Sequence, residues 1–165
     1  LRVFHKAYVY LTCGSRLLVF EEPDNPAIGL QVPGGTVDPG ESYLIAAHRE
    51  FTEETGLRLH CALTPFFDED FVVGPKSPNL AGSGEPERPV RGSHRRRMYH
   101  ARLPRVPAEE WEHFEMTPSF GGDPIRFRLF WLDLSAPRAM DPGNFYAGFG
   151  APLAALRSRL AQELG

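Results

Sequence analysis

Polar and apolar positions alternate along Val3 to Thr12, a stretch rich in Val, Tyr and Phe, and this period of two predicts a β-strand. Gly14-Ser15 supplies a tight turn, and Arg16 to Glu21 predicts its hairpin partner. A loop with Pro23 and Pro26 follows, then a short strand over Leu30-Gln31-Val32 that runs into Pro33-Gly34-Gly35. There the period changes. Leu44, Ala47, Phe51 and Thr55 fall on one stripe at about 100° per residue, which predicts an amphipathic helix. Ser42 suits its N-cap and Gly56 its left-handed C-cap. Leu57 to Val73 reads as extended with a break at Pro65, and Met98 to Leu103 as a strand. Arg105 to Gly122 reads as irregular, and the strong alternation of Ile125 to Leu134 predicts a central strand. Leu153, Leu156, Leu160 and Leu164 place a closing helix over Pro152 to Leu164. Strands mixed with two helices predict an α/β chain of the α+β type, a mixed sheet between helices.

Composition narrows this picture. A length of 165 residues suits one domain, 1–165, with a sizeable core. The segment from Gly74 to about His94 interrupts it, being rich in Pro and Gly and poor in apolar residues, and predicts a long loop. A net charge of −3 argues against general attraction to a nucleic-acid polymer or a membrane surface. No apolar run is long enough to span a membrane, and no secretory leader pattern appears. Cys13 and Cys61 sit in apolar strand patterns and are expected to be buried free thiols, which favours a cytoplasmic location.

The predicted helix carries a charge pattern that stability alone does not explain. Glu50, Glu53 and Glu54 stand at i, i+3 and i+4, where like charges repel at roughly 0.2–0.5 kcal/mol per pair. Glu53 and Glu54 also occupy the last turn, where the helix dipole favours cations. Between Glu41 and Leu57 four glutamates face one arginine, Arg49. Hard cations such as Mg²⁺ take oxygen ligands of this kind, completed by water and substrate phosphates.

Gly35, five residues, Glu41, seven residues, Arg49-Glu50-Phe51, one residue, Glu53-Glu54, one residue, Gly56-Leu57 resembles a complete Nudix box. The resemblance implies a Nudix-like α/β/α sandwich and a pyrophosphohydrolase that cleaves a nucleoside diphosphate linked to another group. It implies Mg²⁺ or Mn²⁺ held by Glu50, Glu53 and Glu54, with the Gly34 carbonyl as a further ligand. Glu41 would support the site or bind a further metal through water, and Arg49 would orient the glutamates. The general base would be Glu50 or Glu53, or a carboxylate outside the box, for which Glu112 and Glu115 are the candidates. A nucleotide-sensing Nudix domain that binds without cleaving is the alternative, and a homodimer is a further option.

The substrate is less defined. Arg88, Arg91, His94, Arg95, Arg96 and Arg97 form the main basic cluster, and arginine binds phosphate oxygens in a fork. In an extended run, alternation sends Arg96 to one face and Arg95 and Arg97 to the other, so one set at most meets a pocket. Tyr99, Trp111, Phe120, Phe145 and Tyr146 are candidates for stacking on a base, and the turn chemistry of Asp141 to Tyr146 suits a pocket rim. The proline and tyrosine that mark ADP-ribose and dinucleoside polyphosphate hydrolases in the family fall here at Val72 and Gly74, which leaves the substrate open.

Overall fold

The computed structural model describes residues 2–75, 88–118 and 121–164. Seven strands form one mixed sheet: β1 (Val3–Cys13), β2 (Arg16–Glu21), β3 (Gly34–Thr36), β4 (Thr64–Val73), β5 (Gly92–Arg102), β6 (Glu110–Glu115) and β7 (Ile125–Asp133). The order is β4-β5-β1-β2-β7-β6, with β3 attached to β1 off this path. β1 and β5 run parallel, and every other pair is antiparallel. Helix α1 (Tyr43–Thr55) covers one face and α3 (Leu153–Leu164) the other, with a short α2 (Pro137–Met140) beside α3.

The pattern of β1 explains the sandwich. Ala7, Val9 and Leu11 pack with Ala46, Ala47 and Phe51 of α1. Tyr8 and Tyr10, between them, pack with Leu153, Leu156 and Leu160 of α3. A strand covered on both faces reads as a near-continuous apolar run, as β1 does. The α1 caps form as their residue types predict. Ser42 Oγ accepts from the Ile45 N–H at 3.1 Å, and Gly56 closes the helix at φ 77°.

β1 is also forked. Its first half pairs with β3 through Lys6–Thr36, Ala7–Gly35 and Tyr8–Gly34, while its end pairs with β2 through Thr12–Leu17 and Cys13–Arg16. The segment from Leu30 to Thr36 crosses the fork. Gln31 exchanges main-chain hydrogen bonds with Phe20 at 2.8 and 2.9 Å, and Pro33 O accepts from Val9 N at 2.8 Å.

Several expectations are corrected. Leu30 to Val32 make only isolated bridges, and the strand forms one step later at Gly34–Thr36. On α1, Ala47, Phe51 and Thr55 are buried as expected, whereas Leu44 is exposed and Ala46 is buried in addition. The extended run after the helix becomes a strand only at Thr64, with a register shift between Pro65 and Phe67. β5 begins at Gly92 rather than Met98, because Arg95, Arg96 and Arg97 are each paired with a carboxylate of β4 and the charged run tolerates the ladder. Residues 76–87 of the expected loop lie outside the described residues. The stretch taken as irregular contains β6, and β7 lies one strand in from that edge rather than at the centre. Both cysteines are half-buried free thiols, and Cys61 sits in a bend.

Candidate active site

The cavity of interest opens where the fork of β1 meets the end of α1. Its floor is glycine because nothing larger fits. A Cβ on Gly34 would lie 2.3 Å from Ala7 O and 2.6 Å from Tyr8 Cα, both main-chain atoms. A Cβ on Gly35 would lie 2.6 Å from the carboxylate of Glu50. The two glycines therefore seat β3 on β1 and leave room for a carboxylate directly over it.

Arg49 organises the acidic cluster. Its Nε and Nη2 donate to the two oxygens of Glu41, each at 2.8 Å, and Nη2 also donates to Thr36 O at 2.9 Å. Nη1 donates to Glu50 Oε1 at 2.9 Å and to Glu53 Oε2 at 3.3 Å. The Arg49 hydrogen bonds hold the Glu41 carboxyl down at about 2 against the opposing effect of burial. Glu50 behaves differently although it shares that guanidinium. Burial pushes it up to about 7, outweighing the Arg49 hydrogen bond. Glu54 is raised well above the usual range, first by burial and then by the charges of Glu50 and Glu115. Its one partner among the described residues is the Gly34 N–H at 3.4 Å.

β6 brings a fourth carboxylate. Trp111 Nε1 donates to Thr55 O at 2.9 Å, and His113 Nε2 meets Glu53 O at 2.9 Å, so the inward side chains of β6 satisfy the open carbonyls at the end of α1. Two residues on, Glu115 faces the cavity and is raised, mainly by burial. Glu112 does not reach it. It points outward and pairs with Arg126 at 3.0 Å.

Cationic groups line the same space. Lys6 donates from Nζ to Thr36 Oγ1 at 2.7 Å, and burial lowers its pKa. Arg96 is buried, with its guanidinium 3.9 Å from the centre of the Phe71 ring. Its Nη1 donates to Ala147 O at 2.6 Å and to Glu69 at 3.3 Å. That contact pins Ala147, whose φ of 49° is unusual for a residue with a Cβ.

The sequence-predicted residues thus divide. Glu50, Glu53, Glu54, Gly34, Arg96 and Glu115 line one cavity, with Glu41 and Arg49 beside it. Arg95 and Arg97 lie on the opposite face of β5, against Asp70 and Asp68, and Tyr99 packs in the α1-side core. Trp111 caps the helix and Phe145 is core, whereas Tyr146 lines the cavity. Phe120 lies outside the described residues. Lys6, Tyr8, Gln31 and Phe149 also line the cavity and were missed. Only Lys6 carried a signal, as a charge inside an otherwise apolar strand.

The donor set suits a hard divalent cation in kind: carboxylate oxygens, those of Glu50 and Glu54 half-buried, beside a glycine main chain. Among the described residues, no three His, Cys, Asp or Glu side chains converge as a finished cage. Arg49 accounts for this, since it draws Glu50 and Glu53 toward itself. Also among the described residues, no helix is long and apolar enough to cross a membrane.

The sequence profile of the NUDIX domain matches residues 4–115. No curated protein sequence matches the chain. Among solved structures, a NUDIX hydrolase from Nitrosomonas europaea superposes with a TM-score of 0.63 at 18% identity, over 96% of this chain and 90% of that one. The E. coli dihydroneopterin triphosphate pyrophosphohydrolase does so with a TM-score of 0.57 at 18% identity, over 94% and 99%. A bifunctional NMN adenylyltransferase/ADP ribose pyrophosphatase from Francisella tularensis, complexed with AMP and a Mn ion, gives 0.57 at 17% identity, over 99% of this chain and 42% of that one. At these identities the likeness is one of fold, and the family assignment rests on the profile together with the intact box. The chain belongs to the Nudix hydrolase family.

Proposed function

We propose that this protein is a divalent-metal-dependent pyrophosphohydrolase acting on a nucleoside diphosphate linked to a second group. The observation that carries the reading is Glu54, a half-buried carboxylate that forms no ion pair among the described residues and lies beside Glu50 and Glu115. Such a group is costly to ionise until positive charge arrives. Glu50, Glu53, Glu54 and the Gly34 carbonyl would hold Mg²⁺ or Mn²⁺. Once bound, the ion offsets charge on the pyrophosphate oxygens and acidifies a water.

The remaining roles belong to the chain itself. Arg49 and Glu41 keep the carboxylates aimed at β3. Lys6 and Arg96 supply positive charge for the phosphates from the opposite wall. Glu115, whose carboxyl is raised mainly by burial, would accept the proton of the attacking water.

A panel of nucleoside triphosphates, nucleotide sugars, dinucleoside polyphosphates and coenzymes, incubated with Mg²⁺ or Mn²⁺ and then phosphatase, tests this by phosphate release. Turnover of at least one class is expected. Tight nucleotide binding without any product would replace the reading with that of a sensing domain.

A further inference from the structure

The cavity has a second polar end that the carboxylates do not use. Gln31 lines it and is 6% exposed, and Glu22 behind it is 4% exposed. Gln31 Nε2 donates to Glu22 Oε2 at 2.7 Å. Arg88 grips the same carboxylate, Nη1 to Oε1 at 3.1 Å and Nη2 to Oε2 at 2.8 Å. A buried ion pair seldom adds net stability once desolvation is counted. Its place on a cavity wall therefore calls for a reason other than folding.

The chemistry of this triad fixes the Gln31 amide. An ionised carboxylate only accepts hydrogen bonds, so Gln31 must turn its NH₂ toward Glu22. Its oxygen is then left over. Oε1 takes no hydrogen bond among the described residues and is not sealed from the cavity. The aromatic side chains of Phe20, Phe127, Tyr146 and Phe149 line the same space. Gln31 and Gly34 are three residues apart, at most about 10 Å along the chain. That span suits a ring at one end of the cavity and a pyrophosphate at the other.

We propose that Gln31 is a specificity-determining residue, with Oε1 accepting from an N–H on the base of the nucleotide. Glu22 and Arg88 are positioning residues that hold the amide in that sense. The inference rests on the reading of the carboxylate end as the pyrophosphate site.

Calorimetry in Mg²⁺ tests it with the α,β-methylene diphosphates of adenosine, guanosine, cytidine and purine riboside, the last of which has no N–H on its base. Methylene diphosphonate serves as the base-free control. The wild type is expected to bind at least one of the first three about tenfold more tightly than the purine riboside compound, the effect of one hydrogen bond to a waiting acceptor. Gln31→Leu should reduce that preference to within about threefold and leave the base-free control unchanged. Gln31→Met, closer in shape, replaces it if the leucine variant does not fold. Equal binding of all four nucleotides by the wild type, or a preference kept in a folded Gln31 variant, overturns the assignment while leaving the pyrophosphate reading intact. Failure to bind even methylene diphosphonate overturns both.

Discussion

His113 meets the main-chain carbonyl of Glu53 across 2.9 Å, and because a carbonyl only accepts, the imidazole donates from Nε2. β6 is thereby fastened to the helix turn that carries two of the site glutamates. Glu115 follows on the same face of β6, so the fastening sets its height above Glu53. His113→Ala is expected to cost about 1 kcal/mol in urea unfolding and to lower kcat as well. Phe114→Ala, on the exposed face, should stay within about 0.5 kcal/mol and keep full activity.

Glu54→Gln separates stability from activity. It removes a carboxylate that burial and two like charges disfavour. The metal-free variant should melt higher than the wild type, while turnover falls by at least about 10²-fold. Melting and single-turnover kinetics on one preparation decide it. An active variant would remove Glu54 from the site.

The two floor glycines should respond differently to alanine. At Gly34 the new Cβ meets fixed main chain at 2.3 Å, so the fold must give way, with a loss of about 2 kcal/mol or more. At Gly35 it meets the end of the Glu50 side chain, which can swing aside. Gly35→Ala should therefore fold with near-native stability and lose activity.

Much of this was legible in the chain. α1 announced itself through Ser42, Gly56 and a helical stripe, because its caps are local chemistry. β6 did not, because its inward positions are Trp111, His113 and Glu115, two of which are polar and read as surface. The stripe of α1 departs from its period at Leu44, which is exposed in the first turn while Ala46 is buried. Arg96 and its neighbours were separable by alternation alone, but which side held the cavity depended on the sheet. The contact of Glu22 with Arg88 joins residues 66 positions apart, and no spacing rule reaches that far.

pH should act on the metal-free protein in two opposed senses, one through the raised carboxyls of Glu50, Glu54 and Glu115 and the other through His100. Glu50 is raised from 4.5 to about 7, so the folded state holds the extra proton in that window and stability falls as pH rises through it. His100 is lowered from 6.5 to about 4, by burial first and then by Arg159 and Arg102. Here the unfolded chain holds the extra proton, and stability falls as pH drops through 6.5 toward 4. Glu50→Gln should remove the Glu50 part of the first trend, leaving the same-signed parts of Glu54 and Glu115 and the opposed part of His100. Its advantage over the wild type should grow between pH 5 and 8 to roughly 3 kcal/mol, as thermal melts in chelator would show.

Metal should reverse the Glu50 penalty. Mg²⁺ is expected to stabilise the wild type by about 2.7 kcal/mol at a hundredfold excess over Kd, read as a higher melting midpoint. The shift should be larger at pH 8 than at pH 6, since binding displaces protons from the carboxylates. No shift at either pH would remove the cation from the proposed function.

The fork of β1 has a consequence for how such a protein can change. The cavity is a seam between two pairings of one strand, bridged by the crossover from Leu30 to Thr36. Its glycine end is fixed by main-chain contact, whereas Gln31 is held by two main-chain hydrogen bonds to Phe20 and carries its side chain on the cavity wall. A lineage could exchange one substrate for another by changing Gln31 together with its partner Glu22, and leave the acidic machinery as it stands.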